Sequence, residues 1–187
     1  ALETRTEGWI AGLQLAALSV RDRPADQIAE FVDLFSGSHR HIIDYLADEV
    51  LARQSSELQD FALRTSLLDR FCAPLCEAVT GVPAARSQEI IDSVARDNLF
   101  LVPLDQEGRW YRYHHLFRDL LRDRLRHQFG ADEIAILHTC AGEWLEQSGR
   151  TEEALEHALA VGDTERAAML VETHRHEAMD SERWRLL

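Results

Sequence analysis

Lysine is absent from the 187 residues, so arginine supplies every one of the twenty strong positive charges. Chemistries that need an ammonium are excluded with it: the phosphate-cradling lysine of a P-loop, a Schiff-base lysine and the nucleotide-holding lysine of a kinase. Long apolar runs are missing as well. No stretch approaches the roughly eighteen consecutive apolar residues that cross a bilayer, and no positively charged start leads into an apolar segment. Cysteine is scarce, and Cys72, Cys76 and Cys140 are read as reduced thiols of a soluble, cytoplasmic protein with no membrane partner. Positive charge is also short: twenty arginines against thirty-three carboxylates leave a formal charge of −13.

At 45% hydrophobic and 28% charged residues, the chain is globular and long enough to bury a core. It starts at Ala1 without a methionine and reaches Leu187 without a helix stop signal, which reads as a piece of a larger protein. The apolar spacing is helical almost throughout, so the fold class is mainly α. From Trp9 the apolar residues fall at Ile10, Leu13, Ala17 and Val20, with Leu15, Ala16 and Leu18 widening the stripe until the helix is apolar nearly all round. Pro24 stops it. Asp26 caps a second segment with Ile28, Phe31, Val32 and Phe35, and Ser36-Gly37-Ser38 separates this from a third stripe at Ile42, Ile43, Leu46, Val50 and Leu51.

Ser55-Ser56-Glu57 opens a further helix carrying Leu58, Phe61, Ala62 and, at its end, Leu67-Leu68. A short helix around Leu75 to Val79 stops at Gly81-Val82-Pro83, and another is predicted from about Ser87 to Asp97 with Ile90, Ile91 and Val94 inward. The period then changes. Leu99 to Leu104 and Arg109 to Tyr113 are two short runs of strand-forming residues around the turn Asp105-Gln106-Glu107-Gly108, which predicts one β-hairpin. Three helices followed by a hairpin is the order of a winged helix. An amphipathic helix comes immediately after, from about His114 to Gln128, with Leu116, Phe117, Leu120, Leu121 and Leu125 on one side.

The last third has short alanine-rich helices joined by Gly149 and Gly162, the pattern with which a tetratricopeptide-like helical array begins. The expected division is therefore a helical module at 1–53, a winged helix at 54–128 and the first helices of a repeat domain at 129–187.

No catalytic or metal site is expected. Cys72 and Cys76 stand four apart and His39/His41, His114/His115 and His174/His176 are close pairs, yet no cluster offers four ligands at structural-zinc spacing. No serine or cysteine stands with a histidine in a recognisable hydrolytic motif. Charge decides against direct nucleic-acid binding: the helix that would read a groove carries Glu89, Asp92, Arg96 and Asp97, a net −2. Arginine gathers instead between Arg109 and Arg126, where six against two aspartates give +4. That patch is expected to answer an acidic neighbour, such as the −8 region from Asp132 onward, or to face the phosphates of a nucleotide.

Specific strings add to this. Glu7-Gly8-Trp9-Ile10-Ala11-Gly12-Leu13-Gln14-Leu15-Ala16-Ala17-Leu18, Phe35-Ser36-Gly37-Ser38-His39-Arg40, Arg64-Thr65-Ser66-Leu67-Leu68, Asn98 to Asp105 and Trp110-Tyr111-Arg112-Tyr113-His114-His115-Leu116-Phe117 together resemble the middle of the MalT-like, LuxR-type transcriptional regulators. These are signal-transducing ATPases with numerous domains. The resemblance implies a neighbouring ATPase domain and a helical-repeat sensor as partners within one protein, self-association on activation, and ATP or ADP bound by the full-length protein but not by this fragment. Gly12 and Gln14 lie in a string similar to the one that lines the adenine pocket of related switches, with Gln14 where those have proline. Tyr113-His114-His115-Leu116 is similar to their Met-His-Asp motif, with His115 in place of the aspartate, which implies that His114, flanked by Arg112 and Arg118, senses a phosphate of bound ADP. The alternative for His114 is a helix-start residue satisfied by the hairpin. The implied function is nucleotide-dependent regulation of transcription, without catalysis by the fragment; the alternative is a protein-interaction adaptor built on the helical repeat.

The acidic reading helix yields a first prediction: the 187 residues show no salt-sensitive affinity for duplex DNA. A gel shift at low salt that weakens steeply as salt rises would contradict it.

Overall fold

Ser55 accepts a hydrogen bond from the Leu58 amide (3.3 Å) and so caps helix α1, Ser56–Thr65, the first element of a computed structural model that describes residues 51–52, 54–96 and 101–180. The helices expected before residue 51, and with them Gly12 and Gln14, lie outside the described residues. Helix α2 (Ala73–Thr80) and helix α3 (Ala84–Arg96) come next, then strands β1 (Leu101–Pro103) and β2 (Tyr111–Tyr113), and helices α4 (His115–Gln128), α5 (Ala131–Gln147), α6 (Thr151–Ala160) and α7 (Thr164–Asp180). The chain is mainly helical with one two-stranded antiparallel sheet among the described residues, the order of a winged helix.

Local chemistry sets the breaks. Leu67 and Leu68, expected at the end of α1, lie beyond it, because the hydroxyls of Thr65 and Ser66 donate to the carbonyls of Phe61 (2.7 Å) and Leu63 (2.6 Å) and the chain turns there. Both leucines are nonetheless buried, as part of the loop between α1 and α2. Gly81 ends α2 at φ +76°, a conformation that L side chains adopt at a cost. Helix α3 begins at Ala84, three residues earlier than its apolar spacing predicts. The Glu77 carboxylate accepts from the Ala84 amide (3.1 Å) and the Pro83 carbonyl from the Ser87 amide (2.8 Å), so the polar first turn is satisfied without apolar contacts.

The hairpin is pinned at both ends. Asp105 accepts from the amides of Arg109 (2.8 Å) and Trp110 (3.1 Å), and Gly108 turns at φ +62° with the Tyr111 hydroxyl against it. Register pairs Leu101 with Tyr113, Val102 with Arg112 and Pro103 with Tyr111. Phe71 then adds a third segment that no periodicity announces: its amide and carbonyl exchange hydrogen bonds of 2.8 and 2.9 Å with the carbonyl and amide of Tyr111. Its ring lies 4.8 Å from that of Tyr113, which meets Phe117 edge-on at 5.9 Å. Thr65 uses its one hydroxyl hydrogen on Phe61, so Tyr113 donates to Thr65 across 2.8 Å, and burial pushes its phenol well above the usual tyrosine range.

After α4 the chain runs into α5, α6 and α7, each packed on the next, and α5 also packs on α2. One apolar core is continuous from Leu51 to Leu170. No helix among the described residues is long and apolar enough to cross a membrane.

Two substitutions separate packing from hydrogen bonding in this core. Phe71→Ala should cost about 3–5 kcal/mol, since it empties a wholly buried ring site. Tyr113→Phe should cost only about 0.5–1.5 kcal/mol, because Thr65 keeps its bond to Phe61. Urea unfolding followed by circular dichroism measures both; equal losses would show that the aromatic packing is not what holds the wing.

Candidate functional site

The loop between α1 and α2, residues 66–72, meets the hairpin, α4 and α6 at once. Arg122 on α4 reaches it through a fork, donating to the carbonyls of Ser66 (2.8 Å) and Leu67 (3.0 Å) and to the Asp69 carboxylate (3.0 Å). Arg118, one turn earlier, donates to the same Asp69 oxygen at 2.8 Å. A planar guanidinium suits this task, because its donors are fixed in directions that a loop of carbonyls can meet. For Arg118 and Arg122 of this basic segment the acidic partner is Asp69.

On the other side of the loop stands a second cluster. Arg70 makes a two-pronged pair with Glu153 on α6 (2.6 and 3.0 Å), and Arg150, just before α6, donates to the same carboxylate at 3.1 Å. The hydrogen bond from Arg70, followed by that from Arg150, holds the Glu153 carboxyl below the usual carboxylate range. Both guanidiniums lie over the ring of Trp110, Arg150 at 4.1 Å and Arg70 at 5.5 Å, and Trp144 on α5 meets that ring edge-on at 6.4 Å. Trp110 belongs to the hairpin, whereas Trp144, Arg150 and Glu153 belong to the helices after the winged helix. The wing is therefore clasped to α5 and α6.

Between the two clusters opens a cleft of about 320 Å³, with Leu67, Leu68, Leu125, Ile134 and Leu145 as its apolar wall. At its base His138 on α5 and His157 on α6 face each other, Nδ1 to Nδ1 at 2.8 Å. Burial, then the neighbouring His138, push His157 down to about 4; burial and Arg122 also lower His138. No spacing rule exposes this pair in the sequence, since nineteen residues separate the two and the close approach is made by two different helices. Among the described residues, no group of three or more histidine, cysteine, aspartate or glutamate side chains is placed to hold a metal ion.

The residues that the sequence singled out are dispersed around this site. His114 is buried and stands at the N-cap of α4, where its carbonyl accepts from the Arg118 amide (2.9 Å) while its side chain makes no capping bond. Its ring packs on His115, with centroids 4.3 Å apart. Arg112 sits half-buried on β2 opposite Val102. Arg118 shares the helix that His114 opens, but its guanidinium is turned to Asp69. The residues that sequence reasoning missed are Asp69, Arg70, Trp110, Arg122, His138, Glu153 and His157, which look like ordinary surface or core positions until the loop brings them together.

Comparison with known proteins places this geometry. Residues 47–133 match the family model described as the MalT winged helix domain. Over 172 residues, 92% of this chain, the sequence is 36% identical to the serine/threonine-protein kinase PknK of Mycobacterium tuberculosis, of which it spans 15%. Over 157 residues, 83% of this chain, it is 38% identical to the HTH-type transcriptional regulator MalT of Klebsiella pneumoniae, of which it spans 17%. The chain thus covers about a sixth of the length of these curated relatives. The hairpin, the bridge at Phe71 and the helices packed on them are, at residues 47–133, a winged helix domain of the MalT family.

Proposed function

We propose that the chain is the regulatory mid-section of a LuxR-type, MalT-like transcriptional regulator of the cytoplasm. In this reading it couples the ADP or ATP state of an adjoining ATPase domain to a helical-repeat sensor, and through self-association to transcription activation. The observation that carries it is the clasp at Trp110, which ties the winged helix to α5 and α6 so that displacing one displaces the other. Helices α5 to α7 are, in this reading, the first helices of the tetratricopeptide-like sensor. Support also comes from the relatives: one is named a kinase and another a transcriptional regulator, and a stretch similar to this chain in both suits a module that serves different outputs. The exposed face of α3 sets Arg86 and Arg96 against Glu89 and Asp92, so it offers a phosphate backbone no net positive charge.

His114 and the first-turn amides of α4 are the groups suited to an anion, since they stand together at the N-terminus of a fourteen-residue helix. ADP, when bound, supplies that anion as its β-phosphate. Arg118 fits less directly, because Asp69 already holds it; its part is to fix the start of α4 against the loop. A second reading, a protein-interaction adaptor without nucleotide coupling, is favoured by Leu159, Met169 and Val171, which stay exposed on α6 and α7.

Two experiments on the full-length protein test the coupling. His114→Ala should remove a contact made only in the ADP-bound resting form. One charge-assisted hydrogen bond is worth about 1.5–3 kcal/mol, so ADP should leave roughly ten to a hundred times faster and transcription should rise without inducer. His115→Ala serves as the comparison, and wild-type values of both quantities in the His114→Ala protein would end the phosphate-sensing role.

Trp110→Ala should leave the winged helix folded and cost about 2 kcal/mol at the clasp, half-buried as the ring is. The signature is faster amide exchange in α5 and α6 with a blunted response to inducer. Unchanged exchange in those helices would remove the clasp as the coupling element.

A further inference from the structure

The histidine pair beneath the loop is not used by the coupling just described, and its chemistry is distinct. A bond between two Nδ1 atoms at 2.8 Å requires opposite tautomers, one ring donating Nδ1–H and the other accepting with its lone pair. One added proton can be accommodated on Nε2 of the donating ring, which leaves the bond intact. A second must land on the accepting Nδ1, which breaks the bond and sets two cations against each other.

The surroundings offset that charge only in part. The loop between α1 and α2 brings Asp69 and Arg70 to the cleft, α4 brings Arg122 and Arg126, and α6 itself brings Glu153 and Glu156. Three arginines balance three carboxylates, and four of these six are already committed, Asp69 to Arg118 and Arg122 and Glu153 to Arg70 and Arg150. Helices α2 and α7, which also pack on α5 and α6, contribute none of the described residues that line the cleft. Asp69 and Glu153 favour a proton on His157 while burial, His138 and Arg122 oppose it, and burial is the largest of these, so a proton gained by the pair is held at a cost in the closed seam.

We propose that His138 and His157 form an acid-sensitive latch between α5 and α6 where both helices meet the winged helix: as a hydrogen-bonded neutral pair they hold α5 and α6 together under residues 67–70, and their protonation opens the seam. This is independent of the nucleotide coupling and would stand if that failed. Burial and His138 push His157 down to about 4 in the closed seam, while an imidazole released to water returns to about 6.5. A depressed histidine binds its proton more readily in the open form. Closure is thus fully favoured above pH 6.5 and weakens as pH falls from there toward 4, by up to about 100-fold in the closed-to-open ratio at pH 4.5 for the proton on His157, the second of the pair and the one that breaks the bond.

The seam carries its own reporter. In a Trp9→Phe, Trp184→Phe background of the 187-residue chain, the remaining tryptophans are Trp110 and Trp144, which meet across the seam. Their emission should shift to the red between pH 6.5 and 4.5 while far-ultraviolet circular dichroism holds steady. The double variant His138→Gln, His157→Gln, which can neither titrate there nor lose the capacity to hydrogen-bond, should show a flat profile. The same red shift in that variant would overturn the proposal. Should the variant fail to fold, imidazole resonances of the wild-type chain decide: two separated titrations, at least one well below 6.5, support the latch, and two ordinary titrations near 6.5 refute it.

Discussion

Two backbone hydrogen bonds between Phe71 and Tyr111 hold an irregular loop against a hairpin, and most of the tertiary structure is arranged around that junction. Without the bridge, Phe71 would not reach the rings of Tyr111 and Tyr113, and the loop would not present Asp69 and Arg70 on opposite sides. A loop so buried has many backbone polar groups to satisfy. Tyr111 satisfies those of Phe71, while Arg122 takes the carbonyls of Ser66 and Leu67, so one side chain from α4 completes what the sheet begins.

The absence of lysine has a structural counterpart in this arrangement. The junctions between parts of the molecule use the flat face or the fork of a guanidinium: Arg122 on carbonyls, Arg70 on Glu153, Arg150 on Trp110 and Arg64 over the ring of Phe129 at 5.1 Å. An ammonium could replace none of these without losing either the second hydrogen bond or the stacked contact. Exposed ion pairs contribute little one at a time, but the Arg70, Arg150 and Glu153 cluster is partly screened from water and shares its cations with an aromatic ring. The consequence is a seam that is specific in geometry and modest in energy.

The winged helix in this chain meets the later helices through its wing. Its third helix balances Arg86 and Arg96 against Glu89 and Asp92 on the exposed side, and its wing carries a tryptophan that packs against the later helices. A protein named a kinase and one named a transcriptional regulator both contain a stretch similar to this chain.

Much of this was legible in the order of the residues. The helical period, the turn at Asp105 to Gly108 and the stop at Gly81 are short-range effects, set by side-chain spacing and backbone freedom within a few residues, and the winged-helix order follows from them. The early turn at Ser66 was not legible, because it depends on hydroxyls choosing their own backbone over the helix. The site was far less so. Arg70 and Glu153 are eighty-three residues apart, Arg122 and Ser66 fifty-six, and His138 and His157 nineteen, and none of these separations carries a periodic signal. Sequence by itself determined which segments become helix or strand and that the molecule carries a formal charge of −13 without any lysine. Which arginine meets which carboxylate, and that two ordinary histidines share a proton beneath a loop, were decided only by tertiary packing, because such pairings are fixed by how the core brings distant segments within about 3 Å.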